Sequence, residues 1–184
     1  MSQPTQAQIF AALSAQSSGS FKRSQPSTST FESLGPDALN QLTTSDGIKG
    51  KKTNSRRLIC PRDGCGSVIL LEGVGELIEV EGEVLPHDPT SPFASPSPSP
   101  SPQYYWLIPT GPFAFENIGF SRPDKSNLNP LPAFTPKDIP GEIAGKVKYL
   151  ICAECDLGPL GWSFDGGKAG WLDVRRLRYG EGKS

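Results

Sequence analysis

The feature that most constrains this chain is the arrangement of its cysteines. They form two close pairs, the first with four intervening residues and the second with two: Cys60, Cys65, Cys152 and Cys155. Zinc takes four tetrahedral ligands, and structural thiolate sites are built from two closely spaced pairs carried on tight turns. Gly64 and Gly66 help the first turn to fold back, and we expect Gly158 to do the same after the second pair.

Two other interpretations of the cysteines fit less well. Four free buried cysteines would rarely cluster two by two. A redox C-x-x-C motif at Cys152 would normally open a helix in a thioredoxin-like unit, and Gly158-Pro159 interrupts any helix there. We therefore predict a zinc site with four cysteine ligands. Its role is structural, because four protein ligands leave no open position for substrate or water.

Composition predicts a small domain with disordered extensions. Only 35% of the 184 residues are hydrophobic, and the chain holds 19 prolines and 20 glycines. Residues 1–55 are rich in Ser, Gln, Thr and Gly without a sustained hydrophobic period, so we predict a disordered tail there. A zinc-binding domain is expected over residues 56–184, interrupted by low-complexity, Pro-rich inserts at about 86–103 and 122–145.

The ordered segments are β-prone, and no convincing long amphipathic helix appears. Strands are predicted at 68–71, 76–80, 104–108, 113–120, 147–152, 162–164 and 171–177. The fold class is therefore all-β, a small zinc-stabilised domain of several short antiparallel sheets. We expect Trp162 and Trp171 in its core.

The net charge and the scarcity of histidine argue against several classes of function. The net charge is -1 with a pI near 5.9, whereas a nucleic-acid binder usually carries a strongly basic domain. The single histidine, His87, lies at the edge of the Ser-Pro insert, so His-based catalysis is poorly supplied. No apolar run is long enough for a transmembrane helix and no secretory signal is visible, so we expect a cytoplasmic protein.

Two peptides carry a family resemblance. They are residues 115–120, FENIGF, and residues 149–162, YLICAECDLGPLGW. Together with the first cysteine pair and the residues 66–70 that follow it, they resemble the signatures of the Mss-four/Dss-four family. Members of that family are Rab-interacting, zinc-binding guanine-nucleotide exchange factors.

The resemblance implies a compact, tent-like fold of small β-sheets (a β-tent) with one zinc ion held by both cysteine loops. It also implies binding to Rab GTPases of the secretory pathway, preferably in the nucleotide-free state, with slow exchange activity. The chain departs from the family in the first cysteine pair, where four residues intervene instead of the usual two. Its two Pro-rich inserts are also longer than in the compact members.

The predicted Rab-binding face combines an aromatic loop with the second zinc loop. Its residues are Phe113, Phe115, Glu116, Asn117, Gly119, Phe120 and Glu154. Read as one strand, the loop places Phe113 and Phe115 on one face and Glu116 on the other. The aromatics could equally be core residues, which makes Glu116 and Asn117 the safer contacts.

Three competing functions remain open at this point. A methionine sulfoxide reductase would need a reactive cysteine beyond the four ligands, and the sequence has none. A zinc-ribbon module would bind nucleic acid or protein without exchange activity. A scaffold could be phosphorylated on its Ser-Pro repeat and could coexist with Rab binding.

For the favoured function we expect a monomer with no nucleic-acid partner, reaching membranes only through the GTPase. The Arg175–Arg178 run is either a solvated strand face or a weak phosphate-contacting patch.

Overall fold

The computed structural model describes residues 27–45, 50–80, 85, 102–122 and 146–182. These residues form twelve short strands, one short helix and three 3-10 turns. The strands are β1 Thr28–Thr30, β2 Thr43–Ser45, β3 Lys52–Asn54, β4 Leu58–Ile59, β5 Val68–Leu70, β6 Glu76–Val80, β7 Gln103–Ile108, β8 Ile118–Phe120, β9 Val147–Cys152, β10 Gly161–Phe164, β11 Gly170–Asp173 and β12 Arg178–Gly180. The helix is α1 Ala38–Leu42, and the 3-10 turns are Glu32–Asp37, Pro112–Ala114 and Val174–Arg176.

The strands form two antiparallel sheets. A small sheet has the order β1-β12-β4-β5, and a large sheet has the order β2-β3-β6-β7-β11-β10-β9-β8. The all-β prediction is therefore confirmed, with one short helix added. Edge strand β8 of the large sheet carries part of the predicted partner face, and its neighbour β9 ends at a predicted zinc ligand.

Alternation along β7 shows how the core is divided. Trp106 and Ile108, both 0% exposed, join the main core with Leu58 and Leu70 of the small sheet. Tyr105 and Leu107, which alternate with them, belong to a second cluster that includes Trp162 and Trp171. Successive side chains of a strand point to opposite faces of the sheet, so one strand supplies both clusters. The prediction that both tryptophans are core residues is confirmed.

Two predicted strands are shorter than expected. Residues 113–120 were expected to form one strand, but Gly111, at φ 101°, leads into the 3-10 turn Pro112–Ala114, and only β8 is extended. The predicted strand 171–177 breaks after Asp173, whose carboxylate accepts a hydrogen bond of 2.8 Å from the Arg175 N–H. That cap opens the third 3-10 turn, and the chain then continues as β12.

The prediction that residues 1–55 form a disordered tail is wrong for residues 27–45 and 50–55. Strands β1 and β3 pair with β12 and β6, which contribute the buried Tyr179 and Val80, so their own Ser and Thr residues need little hydrophobic surface. Ala38 and Leu42 of the helix are 1% and 0% exposed. We therefore propose that the folded domain includes β1. Residues 1–26 lie outside the described residues, as do 86–101 and 123–145 of the predicted inserts.

One buried asparagine joins two loops to the large sheet. Asn54 is 1% exposed, and its amide nitrogen donates to the carbonyls of Arg56 and Leu71 at 2.9 and 2.8 Å. Its amide oxygen accepts the Gly75 N–H at 2.8 Å. Three of the four hydrogen bonds that the side chain can make are therefore formed inside the protein.

Replacing Asn54 with Ala is expected to lower the free energy of unfolding by about 3 kcal/mol, because it leaves buried backbone groups without partners. Urea unfolding of the zinc-saturated protein measures the change. Asn40→Ala is the matched control, since Asn40 is exposed in the helix. Equal stability of the two variants would contradict the role assigned to Asn54.

Candidate metal centre and partner-binding face

The four cysteine sulfurs converge on one point between the two sheets. All four Sγ atoms lie within 4.8 Å of one another, with Cys60 to Cys155 at 3.6 Å and Cys65 to Cys152 at 3.8 Å. None of the four is in a disulfide. Zinc–sulfur bonds of about 2.3 Å in a tetrahedron place the sulfurs about 3.8 Å apart, so the spacing suits a bound zinc ion.

The first cysteine loop folds back between β4 and β5. The N–H of Cys60 donates to the Ser67 carbonyl at 2.8 Å, and the N–H of Cys65 donates to the Arg62 carbonyl at 3.2 Å. Gly64 and Gly66 have φ values of 85° and 65°, a region that favours glycine. Both glycines therefore shape this turn, as the sequence indicates.

The second loop turns differently from the prediction. Its left-handed residue is Asp156, at φ 57°, and the Asp156 N–H donates to the Cys152 carbonyl at 2.9 Å. Gly158, expected to relax this turn, has no positive φ. A side chain at Gly158 would instead meet Ile151, because its Cβ would lie 2.4 Å from Ile151 Cγ2. Glycine is needed there for close packing, not for the turn.

The environments of the thiols differ. Burial raises the pKa of Cys60 far above its ordinary value, and burial is also the main cause of the raised pKa of Cys152. Burial acts in the same direction on Cys65, but hydrogen bonds with Ser67, Cys60 and Cys155 together outweigh it and lower the pKa of Cys65 to about 7. The Sγ of Cys65 and the Oγ of Ser67 are 3.3 Å apart. Zinc binding must therefore displace protons from the buried thiols, which couples metal loading to pH.

The C-terminal basic run supports both cysteine loops. Arg176 donates to the Pro159 carbonyl at 2.9 Å, just after the second loop, and lies 3.4 Å from the Asp173 carboxylate. Arg178 pairs with Asp63 inside the first loop. The hypothesis of a solvated strand face is therefore wrong for Arg176, whose side chain is 11% exposed in the third 3-10 turn, whereas the phosphate-contacting patch stays a prediction. No local sequence pattern joins these residues to the cysteines, so sequence analysis missed them.

Three of the predicted partner residues lie beside the metal centre. The Glu116 N–H donates to the Ile69 carbonyl at 3.0 Å, while the Glu116 side chain is exposed. Asn117 links the two cysteine loops, since its amide donates to the Val68 carbonyl at 2.8 Å and its carbonyl accepts the Ala153 N–H at 3.1 Å. Glu154 follows directly and is exposed. Glu116 directly precedes Asn117, and Glu154 directly follows the Ala153 to which Asn117 bonds.

The predicted aromatic residues are spread over different environments. Phe113 is 99% exposed on its 3-10 turn, whereas Phe115 is half-buried and bridges to Leu70. The expectation that Phe113 and Phe115 share a face is therefore wrong, because the segment between them is not a strand. Phe120 is 39% exposed and meets the Phe115 ring edge-on at 6.5 Å. A Cβ at Gly119 would lie 3.1 Å from Ile151 Cγ1, so this position favours a residue without a side chain.

The family model described as Mss4 protein matches residues 53–179. The chain belongs to the Mss4 family. The match begins in β3, contains all four cysteines and every predicted partner residue, and ends in β12. It confirms the resemblance of the two signature peptides. With the sulfur geometry, it identifies zinc as the metal of this Mss4 family member.

The first four elements, β1, the 3-10 turn Glu32–Asp37, the helix and β2, lie outside the Mss4 match, although β1 pairs with the matched strand β12. Among the described residues, no helix is long and apolar enough to cross a membrane.

Proposed function

We propose that this protein binds a Rab-family small GTPase, prefers its nucleotide-free state and promotes nucleotide release. The observation that carries the proposal is the Mss4 family match over residues 53–179. The exposed carboxylates of Glu116 and Glu154 beside a structural metal centre support it. We further propose a cytoplasmic monomer that reaches secretory-pathway membranes through the lipidated GTPase and does not bind nucleic acid.

Exchange requires differential affinity. A factor that bound the nucleotide-loaded and nucleotide-free GTPase equally well would not shift the equilibrium between them. The factor must therefore hold the segments that otherwise close over the nucleotide and Mg²⁺. Glu116 offers a carboxylate for backbone or basic groups exposed when those segments open, and Phe113 offers an exposed ring for their apolar side chains.

Zinc contributes rigidity to this face. The two cysteine loops come from strands of different sheets, and Asn117 bonds to both. A metal that fixes the loops also fixes Glu116 and Glu154 relative to each other, which reduces the entropy lost on binding. The chain's own residues therefore act by binding and positioning, and the proposed activity requires no catalytic group.

Replacing Glu116 with Ala is expected to weaken binding to the nucleotide-free GTPase about tenfold, as for a contact worth about 1.4 kcal/mol. The free energy of unfolding should change by less than about 0.5 kcal/mol, because the side chain is exposed. Isothermal titration and urea unfolding measure the two quantities. Glu181→Ala, which removes an exposed carboxylate near the C-terminus, is the control. Equal losses of binding and stability would make Glu116 a structural residue.

The decisive experiment is release of a fluorescent guanine nucleotide from a panel of purified Rab proteins, with and without the full chain. Faster release from some members supports exchange activity. Tight binding to nucleotide-free Rab without faster release would instead indicate a holding chaperone. A panel that shows neither release nor binding would overturn the proposed function.

A further inference from the structure

A cavity of about 260 Å³ opens at the β8–β11 end of the large sheet. Its apolar wall is formed by the rings of Phe115, Phe120 and Phe164, and the β10–β11 turn closes another side. The cavity is smaller than the roughly 300–1,000 Å³ of small-molecule sites, so it suits one side chain of a partner better than a separate ligand.

The rim of the cavity is basic. Lys148 and Lys168 line it, and the exposed Lys146 precedes the same strand as Lys148. Asp165 offsets one of these charges, since its carboxylate lies 2.5 Å from the Lys148 ammonium. No described residue pairs with the Lys168 ammonium. The net charge of the three lysines and Asp165 is therefore positive, which favours a partner that carries carboxylates.

The cavity is continuous with the proposed partner face. Phe120 belongs to both, and Pro112 lines the cavity next to the fully exposed Phe113. The Gly111 that precedes this turn packs on the β10–β11 turn, since a Cβ at Gly111 would lie 3.6 Å from the Lys168 carbonyl oxygen. A partner that covers Phe113 and Phe120 therefore also reaches the cavity.

We propose that this cavity holds one aromatic side chain of the GTPase partner, with acidic residues beside it in the partner sequence facing Lys168. This proposal rests on the proposed function and adds an anchoring pocket to it. An aromatic occupant suits the walls, because ring edges and faces pack well against the edge-on pair of Phe115 and Phe120. The flanking carboxylates follow from the charge of the rim.

A peptide probe tests the pocket without any GTPase. The probe is an N-acetylated tripeptide amide, Asp-(para-fluorophenylalanine)-Glu, and fluorine NMR follows its binding to the full chain. Lys168→Glu is expected to weaken its binding about tenfold at low salt, because the substitution replaces attraction by repulsion. The control is Lys52→Glu, which makes the same change on exposed strand β3 at the far side of the large sheet. Equal binding of the probe to both variants would overturn the proposed preference for acidic neighbours. So would equally strong binding to the unmodified protein of a second tripeptide that carries Lys on both sides of para-fluorophenylalanine.

Titration of nucleotide-free GTPase then separates this proposal from the proposed function. We expect Lys168→Glu to weaken GTPase binding while Lys52→Glu does not. If Glu116→Ala weakens binding and Lys168→Glu has no effect, the GTPase-directed function stands and the pocket proposal is overturned. If no GTPase binds while the acidic peptide still requires Lys168, the proposed function and the GTPase as occupant are both overturned.

Discussion

Replacing Cys152 with Ser is expected to abolish stable zinc binding and to unfold the domain. Cys152 is 0% exposed and ends strand β9 within the main core. A structural zinc site contributes apparent binding free energies of about 10–16 kcal/mol, whereas the net stability of a domain is about 5–15 kcal/mol. Loss of one of four ligands therefore removes an amount comparable to the whole stability.

Circular dichroism during heating, together with zinc quantification, measures this result. Ala153→Ser is the matched control, because it places the same new residue at the adjacent, exposed position of the same loop. A chelator should reproduce the unfolding in the unmodified protein, and added zinc should reverse it. Metal-free protein that unfolds at the unchanged temperature would show that the four cysteines do not hold a structural ion.

Replacing Gly161 with Ala is expected to lower the free energy of unfolding by about 4 kcal/mol, at the upper end for one substitution. Gly161 lies in β10 between β9 and β11, where it pairs with Leu150 and Leu172. A Cβ at this position would lie 1.9 Å from the carbonyl oxygen of Trp171 and 2.8 Å from its carbonyl carbon. Backbone atoms in the middle of a sheet cannot rotate aside, so the two strands must separate.

Gly180→Ala controls for the change of residue type in a buried strand. Gly180 lies in β12, and the nearest atom to a Cβ there is Ile59 Cδ1 at 3.6 Å, an ordinary contact. The free energy of unfolding of the Gly180→Ala variant should remain within about 1 kcal/mol of that of the unmodified protein. Urea unfolding of zinc-saturated proteins compares the two variants. A Gly161→Ala protein as stable as Gly180→Ala would mean that the β10–β11 pairing adjusts freely.

The metal centre could be predicted because its determinants are local. Each cysteine pair spans a few residues, and the glycines of the first loop stand between or beside its ligands. Strands with several large apolar residues, such as β7 and β9, were predictable for the same reason. In these segments the residue types alone exclude most other conformations.

The remaining parts depend on contacts between distant residues. β1 and β3 are short and polar, and each is ordered by a partner strand that the sequence does not indicate. The Arg178–Asp63 ion pair joins residues far apart in the chain. Phe113 shows most clearly what local sequence does not predict. It is an aromatic residue in a β-prone segment, yet it is 99% exposed, because the preceding Gly-Pro starts a 3-10 turn.

The pairing of β1 with β12 has a consequence for biosynthesis. β1 is made first, but the strand it pairs with lies at the other end of the described chain and also pairs with β4 next to the first cysteine loop. The small sheet therefore cannot close until β12 has been synthesised. The zinc site likewise stays incomplete until its second pair of ligands, Cys152 and Cys155, has been synthesised. Closing the small sheet and completing the zinc site therefore both require contacts between segments that lie far apart in the chain, and such contacts are slow to form.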